Sequence, residues 1–136
     1  LQNINNLNDV LAECRRVLKP GGKLFAVMNH PAFRIPKVTS WGWDGENKVQ
    51  YRRIDQYLTE SSAKIQMHPG DNPEEHTLSF HRPLQVYFKS LHKNNFCVSR
   101  LEEWISDKHS EAGPKAKAED VARHEIPLFL FMEAIK

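Results

Sequence analysis

Apolar residues recur at helical spacing near the start of the chain and predict a first helix. The stripe consists of Leu7, Val10, Leu11, Cys14, Val17 and Leu18. Asn5 or Asn6 is placed to cap this helix, because a short side-chain acceptor can bind an orphan backbone N–H at its N-terminus. The turn Pro20-Gly21-Gly22 is typical of a helix end.

A continuous apolar run follows the turn and predicts a strand over Lys23 to Asn29. Its centre, Leu24 to Met28, carries no polar residue, which favours a central strand buried on both faces. A helix, a tight turn and such a strand form the second part of a βαβ unit. The chain begins at Leu1 rather than at a methionine, and Leu1 to Ile4 are typical of a strand running into a helix. We therefore expect the first strand of that unit to lie upstream.

The segment from about residue 30 to 80 is less regular and is predicted to be an insertion or lid, since it is long for a simple connection. Within it, Val49 to Leu58 and Ala63 to Met67 predict two strands of one hairpin, with residues 59–62 as the turn.

Regular elements return after the insertion. A second helix is predicted from Pro83, with the stripe Leu84, Tyr87, Phe88 and Leu91 and a left-handed cap at Asn94-Asn95. Strands are predicted over 96–104 and 128–135, with a short helix over 118–124 between them. The fold class is therefore α/β, and the order of elements matches the second half of an α/β sandwich.

Composition limits the function classes. The chain has 136 residues, which favours one domain. Its formal net charge of +2 gives no support for a nucleic-acid or anionic-membrane partner. It has two cysteines, too few for a disulfide framework, so a cytoplasmic protein is expected. No signal peptide or transmembrane run is recognisable. His68, His76 and His81 lack the close spacing of metal ligands, so no metal is predicted.

The helix–turn–strand segment Leu11 to Leu24 carries a more specific signal. Its core, Arg15-Arg16-Val17-Leu18-Lys19-Pro20-Gly21-Gly22, resembles class I S-adenosylmethionine-dependent methyltransferases of the "methyltransferase type 11" and UbiE-like groups, where this turn joins a helix to the fifth strand. Leu84 to Val98 resembles the family's last helix and sixth strand, and Phe129 to Lys136 its antiparallel seventh strand. The resemblance covers most of the chain outside residues 30–80.

The resemblance implies a Rossmann-like sheet with strand order 3-2-1-4-5-7-6, of which this chain supplies strands 5, 6 and 7 plus an inserted β-hairpin region. Residues 1–136 are then the C-terminal part of a methyltransferase domain. The glycine-rich loop and acidic residue that hold S-adenosyl-L-methionine in the family are absent from this sequence. We therefore expect the N-terminal cofactor-binding half to lie elsewhere and the chain alone to be inactive. An exposed edge on strand 5 would favour a homo-oligomer.

The resemblance also implies site residues. Gln2 and Asn3 match the segment after the fourth strand, where the family contacts the cofactor; the alternative is a capped helix start. Asn29, His30 and Pro31 follow the predicted strand 5 at the same rim, where open α/β sheets gather ligands. His30 is the candidate catalytic residue, since an imidazole can take a proton from an acceptor near neutral pH; the alternative is a loop histidine bonded to backbone.

Aromatic residues of the insertion are candidates for substrate binding. Trp41 and Trp43 flank Gly42 in a predicted loop and would line an apolar acceptor pocket, form a subunit contact, or pack the insertion onto its own domain. Phe33 and His81 are further candidates for substrate binding. The alternative for His81 is that it only precedes the second helix and has no contact with a substrate. Arg52 and Arg53 alternate on a strand and therefore cannot form one anion clamp.

Two function hypotheses remain at this point. The first is methyl transfer to a small, partly apolar acceptor by the full-length protein. The alternative is a non-catalytic dimerisation or assembly module that uses the open strand edge and the aromatic insertion.

Overall fold

The computed structural model describes residues 1–68 and 72–136, apart from the side chains of residues 67, 68, 72 and 73. Three helices and seven strands follow one another along these residues. They are α1 (Leu7–Val17), β1 (Lys23–Asn29), β2 (Thr39–Asp44), β3 (Val49–Ile54), β4 (Ser61–His68), β5 (Asn72–His81), α2 (Leu84–Lys93), β6 (Cys97–Trp104), α3 (Ala116–Glu125) and β7 (Phe129–Ile135). The mixed α/β class is confirmed.

The first helix forms as its pattern predicts. Asn6 is the N-cap, and its side chain accepts a hydrogen bond from the backbone N–H of Asp9 at 3.3 Å. Leu7 and Leu11 are buried, whereas Val17 is 66% exposed. Val17 belongs to the predicted stripe but lies at its edge on a helical wheel and is the last residue of the helix, which leaves it outside the packed face.

The turn after α1 depends on its two glycines. Gly21 has a φ of +72°, a conformation that disfavours residues with a Cβ. A Cβ on Gly22 would lie 2.8 Å from the Lys19 carbonyl oxygen. The Pro-Gly-Gly sequence therefore sets the reversal that returns the chain into β1.

A three-stranded sheet in the order β1-β7-β6 forms the centre of the fold, and β7 is antiparallel to both neighbours. Helices α1 and α2 cover one face. The core between them consists of Leu7, Leu11, Met28, Tyr87, Leu91, Phe96, Leu130, Met132 and Ala134. Leu130 has no exposed surface, as expected for the middle of the central strand.

The opposite face of this sheet is open, so the prediction that β1 is buried on both faces is wrong for this chain. Phe25 and Val27 are 58% and 59% exposed. Phe131 stacks between Phe25, at 6.2 Å between ring centroids, and Trp104, at 5.2 Å. A row of aromatic rings therefore crosses the uncovered face.

Two separate hairpins occupy the segment predicted as an insertion. β2 pairs with β3, and β4 pairs with β5. The predicted pairing of 49–58 with 63–67 is therefore wrong, because each of those strands takes its other neighbour in sequence. The tryptophan-rich segment predicted as a loop is also strand, and Trp41 and Trp43 share one face of β2, as residues two apart do.

The elements after residue 82 agree with the predictions. Asn95 takes the left-handed conformation expected after α2, with a φ of +54°. The predicted short helix is α3, which begins two residues earlier than expected. No helix in the described part of the chain is both long and apolar enough to span a bilayer.

Candidate functional site

The candidate site lies where β1 and β6 end and β7 begins, at one rim of the central sheet. The backbone N–H of His30 extends the β1–β7 ladder by donating to the Leu128 carbonyl at 2.9 Å. The Leu128 N–H donates in turn to the Trp104 carbonyl at 3.1 Å, at the end of β6. Segments leaving both β1 and β6 therefore meet at this rim, the end of an α/β sheet where ligands gather.

His30 is held by hydrogen bonds at both ring nitrogens. Nδ1 accepts from the backbone N–H groups of Ala32 and Phe33, at 3.1 and 3.3 Å. Since Nδ1 is an acceptor, the ring proton of the neutral imidazole is on Nε2, which lies 2.9 Å from Glu103 Oε1 and donates to it. The ring is 4% exposed and packs against Phe33, with 4.7 Å between centroids.

Burial decides the charge state of His30. Desolvation lowers the pKa of the imidazole below its ordinary value, and the nearby Glu103 carboxylate opposes this shift only in part. The neutral ring is therefore favoured, although a carboxylate lies beside it. The catalytic role of His30 stays a prediction, and this geometry leaves neither nitrogen free for a substrate proton.

Gln2 occupies the neighbouring position at the rim. Its side-chain Nε2 donates to the Asn29 carbonyl, and its Oε1 accepts from the Asn29 N–H, both at 3.0 Å. The Gln2 carbonyl also accepts from the Phe80 N–H at 2.7 Å. This residue therefore joins the end of β1 to β5.

Asn3 and Pro31, the other candidates at the rim, differ in their exposure. The Asn3 side chain is exposed and donates to the Leu78 carbonyl at 3.1 Å. Pro31 is fully buried beside His30, so its surface is not available to a ligand. The structure thus gathers Gln2, Asn29, His30, Pro31 and Phe33 around one rim.

His81 is placed elsewhere. Its ring is 5% exposed, and Nε2 lies 2.8 Å from the Tyr57 carbonyl, to which it donates. The hydroxyl of the same tyrosine accepts from the Leu84 N–H at 3.0 Å, at the first turn of α2. His81 therefore ties the segment between β3 and β4 to the start of this helix, and its role in substrate binding remains a prediction.

Two buried polar residues were not singled out as site residues from the sequence. Arg82 is 6% exposed and donates from Nη2 to the Ile4 and Asn5 carbonyls, while its Nη1 has no hydrogen-bond partner among the described residues. The Tyr87 hydroxyl is also buried and makes no hydrogen bond of good geometry in the described part of the chain, although the Arg82 guanidinium and the Gln2 side chain lie near it. Burial raises the pKa of Tyr87. The sequence signal for Tyr87 is its place on the apolar stripe of α2, which indicates only burial.

Trp41 and Trp43 share one face of β2 but contact different side chains. The Arg52 guanidinium lies 4.9 Å from the Trp41 ring centroid and donates to the Phe33 carbonyl at 2.7 Å. Arg52 therefore anchors this hairpin to the rim, whereas Arg53 pairs with Asp55 at 2.7 Å. The Trp43 ring instead lies beneath the Lys115 ammonium, 4.8 Å from its centroid.

Trp43 lines a cleft of about 790 Å³ between the β2–β3 hairpin and α3. This volume is within the range of small-molecule sites. The hairpin follows β1 and α3 follows β6, so both walls belong to segments that leave the site rim. No group of three or more potential metal-binding side chains occurs among the described residues, which do not include the His68 side chain.

The comparisons with known proteins concern the fold. No protein-family model and no curated relative matches the chain. Among solved structures, a protein from Listeria monocytogenes assigned as an S-adenosylmethionine-dependent methyltransferase matches 100% of this chain and 57% of its own, with 24% identity and a TM-score of 0.70. An S-adenosylmethionine-dependent methyltransferase from Mesorhizobium loti matches 99% of this chain and 57% of its own, with 21% identity and a TM-score of 0.71.

A third structure is the glycopeptide N-methyltransferase MtfA with bound S-adenosylmethionine. It matches 98% of this chain at 14% identity, with a TM-score of 0.50. This chain spans 52–57% of the length of these three proteins. The resemblance inferred from the helix–turn–strand segment is thereby confirmed at the level of structure. The chain has the fold of the corresponding part of S-adenosylmethionine-dependent methyltransferases.

Proposed function

We propose that this chain is the acceptor-side part of an S-adenosylmethionine-dependent methyltransferase. The observation that carries the proposal is the fold match, since three solved methyltransferases each align with 98% or more of the chain. The sheet order β1-β7-β6 supports a correspondence with the family's strands 5, 7 and 6. The segment of residues 30–80, with its two hairpins, is then the insertion.

The open edge of β1 supports the same proposal. The His30 N–H donates to the Leu128 carbonyl, and the Lys136 N–H donates to the Gly22 carbonyl at 2.9 Å. The backbone N–H and C=O groups of the even-numbered residues of β1 therefore point toward β7. The N–H groups of Phe25, Val27 and Asn29 therefore point away from β7. No strand in the described part of the chain pairs with this edge. The family's strand 4, from the cofactor-binding part, would pair with this edge of β1.

The described residues do not by themselves fit S-adenosylmethionine. The polar groups at the rim are already paired within the chain: Gln2 with Asn29, Asn3 with Leu78, and His30 with Glu103. The Glu103 carboxylate accepts this bond at Oε1 and is half exposed. The cofactor, which supplies an electrophilic methyl group, would be held mainly by the remainder of the enzyme.

The chain's own residues would orient the acceptor. Methyl transfer is an in-line displacement, so the enzyme must hold the methyl donor and the acceptor atom close together and aligned. His30 acts here as a positioning residue, because it fixes the loop of Ala32 and Phe33 against β6. Gln2 and Asn3 shape the side of the rim that would face the cofactor, and the cleft at Trp43 receives the acceptor.

Calorimetric titration of S-adenosylhomocysteine tests this function. The titration is made into the 136-residue chain and into the natural gene product that contains it. Binding to the gene product with none to the chain supports the proposal. Absence of binding to both, with the proteins folded by circular dichroism, contradicts it.

A second function, an assembly module, is favoured by one observation. Phe25 and Val27 are exposed beside the unpaired edge of β1, and such edges pair readily with a second copy. This function requires the chain to self-associate, and a chain that stays monomeric at high concentration contradicts it.

A further inference from the structure

The cleft between the β2–β3 hairpin and α3 is lined by apolar side chains and by lysines. Its interior side chains include Trp43, Val49, Val121, Ala122 and Ile126. Val49 and Val121 are 51% and 55% exposed, although each projects from a regular element. Apolar side chains that face each other across an open cleft favour an apolar occupant.

Lysines enter the same cleft from both walls. Lys48 comes from the β2–β3 turn, and Lys115 and Lys117 come from the start of α3. None of the three has an ion-pair partner within residues 1–68 and 72–136. Like charges that line one cleft raise the positive potential there, and an anion between them would relieve this repulsion.

The charges are segregated along α3. Glu125 is the acidic residue of the cleft lining, and it lies eight residues after Lys117, about 12 Å along the helix axis. Val121 and Ala122 lie between these ends. The cleft therefore has a basic end, an apolar middle and a distant acidic end, which gives an occupant a defined orientation.

We propose that this cleft binds a small molecule with an apolar body and one carboxylate, with the carboxylate at Lys115 and Lys117. The apolar body lies between Val49 and Val121, beside the Trp43 ring that the Lys115 ammonium covers. The assignment of this molecule as the methyl acceptor rests on the proposed function, whereas its binding does not. Binding is therefore measured without any cofactor.

The test uses dodecanoate and dodecanol, which differ in the head group, as probes below their aggregation limits. Calorimetry at pH 7.4 measures each against the 136-residue chain. We expect dodecanoate to bind at least about tenfold more tightly than dodecanol, as a charge-assisted contact to lysine adds to a shared apolar term.

Three variants locate the binding. The double variant K115M/K117M keeps the side-chain length and is expected to remove the preference for dodecanoate while dodecanol binding is unchanged. The matched control K89M/K93M removes the same charge from exposed positions on α2 and is expected to preserve the preference. Val121→Glu, at an exposed position that should still fold, is expected to weaken both ligands at least tenfold.

Three results would overturn the proposal. These are equal affinity for the two probes, equal loss in the two lysine variants, and binding of dodecanoate that Val121→Glu leaves intact. Binding to anionic phospholipid vesicles without binding of monomeric dodecanoate would also overturn it and indicate a membrane surface instead. Because S-adenosylhomocysteine is absent, failure here leaves the cofactor titration free to succeed or fail on its own.

Discussion

The side-chain amide of Gln2 pairs with both backbone groups of Asn29, as the backbone of a neighbouring strand would. The two bonds are 3.0 Å long and lie on the edge of β1 that faces away from β7. Gln2 therefore closes the end of an otherwise open edge, while Phe25 and Val27 remain uncovered. The relationship indicates where a further strand would join.

Gln2→Glu should destabilise the chain, because a carboxylate cannot donate to the Asn29 carbonyl. We expect a loss of about 1–3 kcal/mol in the free energy of unfolding, the usual range for a partly buried donor removed from its acceptor. Urea denaturation followed by circular dichroism measures it. Asn3→Asp is the matched control on an exposed side chain and should cost less. Equal costs for the two variants would show that the Gln2 pair contributes little.

The stability of the chain should depend on the His30 imidazole in mildly acidic solution. Its pKa is lowered in the folded chain, so the unfolded chain binds more protons between the folded pKa and about pH 6.5. The contribution of His30 to the free energy of unfolding is therefore fully present above about pH 6.5 and is lost as the pH falls through the folded pKa.

His30→Asn tests this dependence. The asparagine oxygen can still accept from the Ala32 and Phe33 N–H groups, but the group that titrates is removed. The difference in unfolding free energy between the two proteins, measured from pH 8 to pH 5, should change below about pH 6.5. A difference that is constant across this range would contradict the lowered pKa.

Tyr87→Phe should change stability little, because the buried Tyr87 hydroxyl makes no hydrogen bond of good geometry in the described part of the chain, although Arg82 and Gln2 lie beside it. Thermal unfolding measures the effect, and Leu91→Ala, at a neighbouring core position, provides a destabilised reference with a cost of about 2–5 kcal/mol. A loss above about 1 kcal/mol for Tyr87→Phe would show that the hydroxyl does have a bound partner.

Under the alternative assembly function, Phe25→Lys combined with Val27→Lys should abolish self-association through the open edge of β1. Both side chains are exposed, so the chain should still fold, and lysine on an edge strand opposes pairing with a second copy. Analytical ultracentrifugation over a range of concentrations measures the effect. Val17→Lys is the control, since Val17 is also exposed but lies on α1. An equal loss of association in the control would place the contact elsewhere.

Local patterns predict much of this fold. The bounds of β1 agree with the apolar run between Gly22 and His30, and the Asn6 cap and left-handed Asn95 follow from side-chain chemistry. Strand pairing is not encoded in the same way, since alternation shows that β3 and β4 are strands but does not select their neighbours. The predicted pairing of the hairpin strands is wrong for this reason.

The site was predictable only in part. The position of His30 after β1 follows from the order of elements. Its hydrogen bond to Glu103 joins residues 73 positions apart, and no local pattern indicates such a contact. Burial of Arg82 likewise depends on carbonyls near the start of the chain, which close on it only when the chain is folded.

Hydrogen–deuterium exchange of the β1 amides tests most directly whether this chain is one part of a larger sheet. The amides of Phe25 and Val27 should exchange fast in the 136-residue chain and at least about a hundredfold more slowly in the natural gene product that contains it. The amides of Ala26 and Met28, which face β7, should be protected in both. Equal, fast exchange of Phe25 and Val27 in the two proteins would contradict the account.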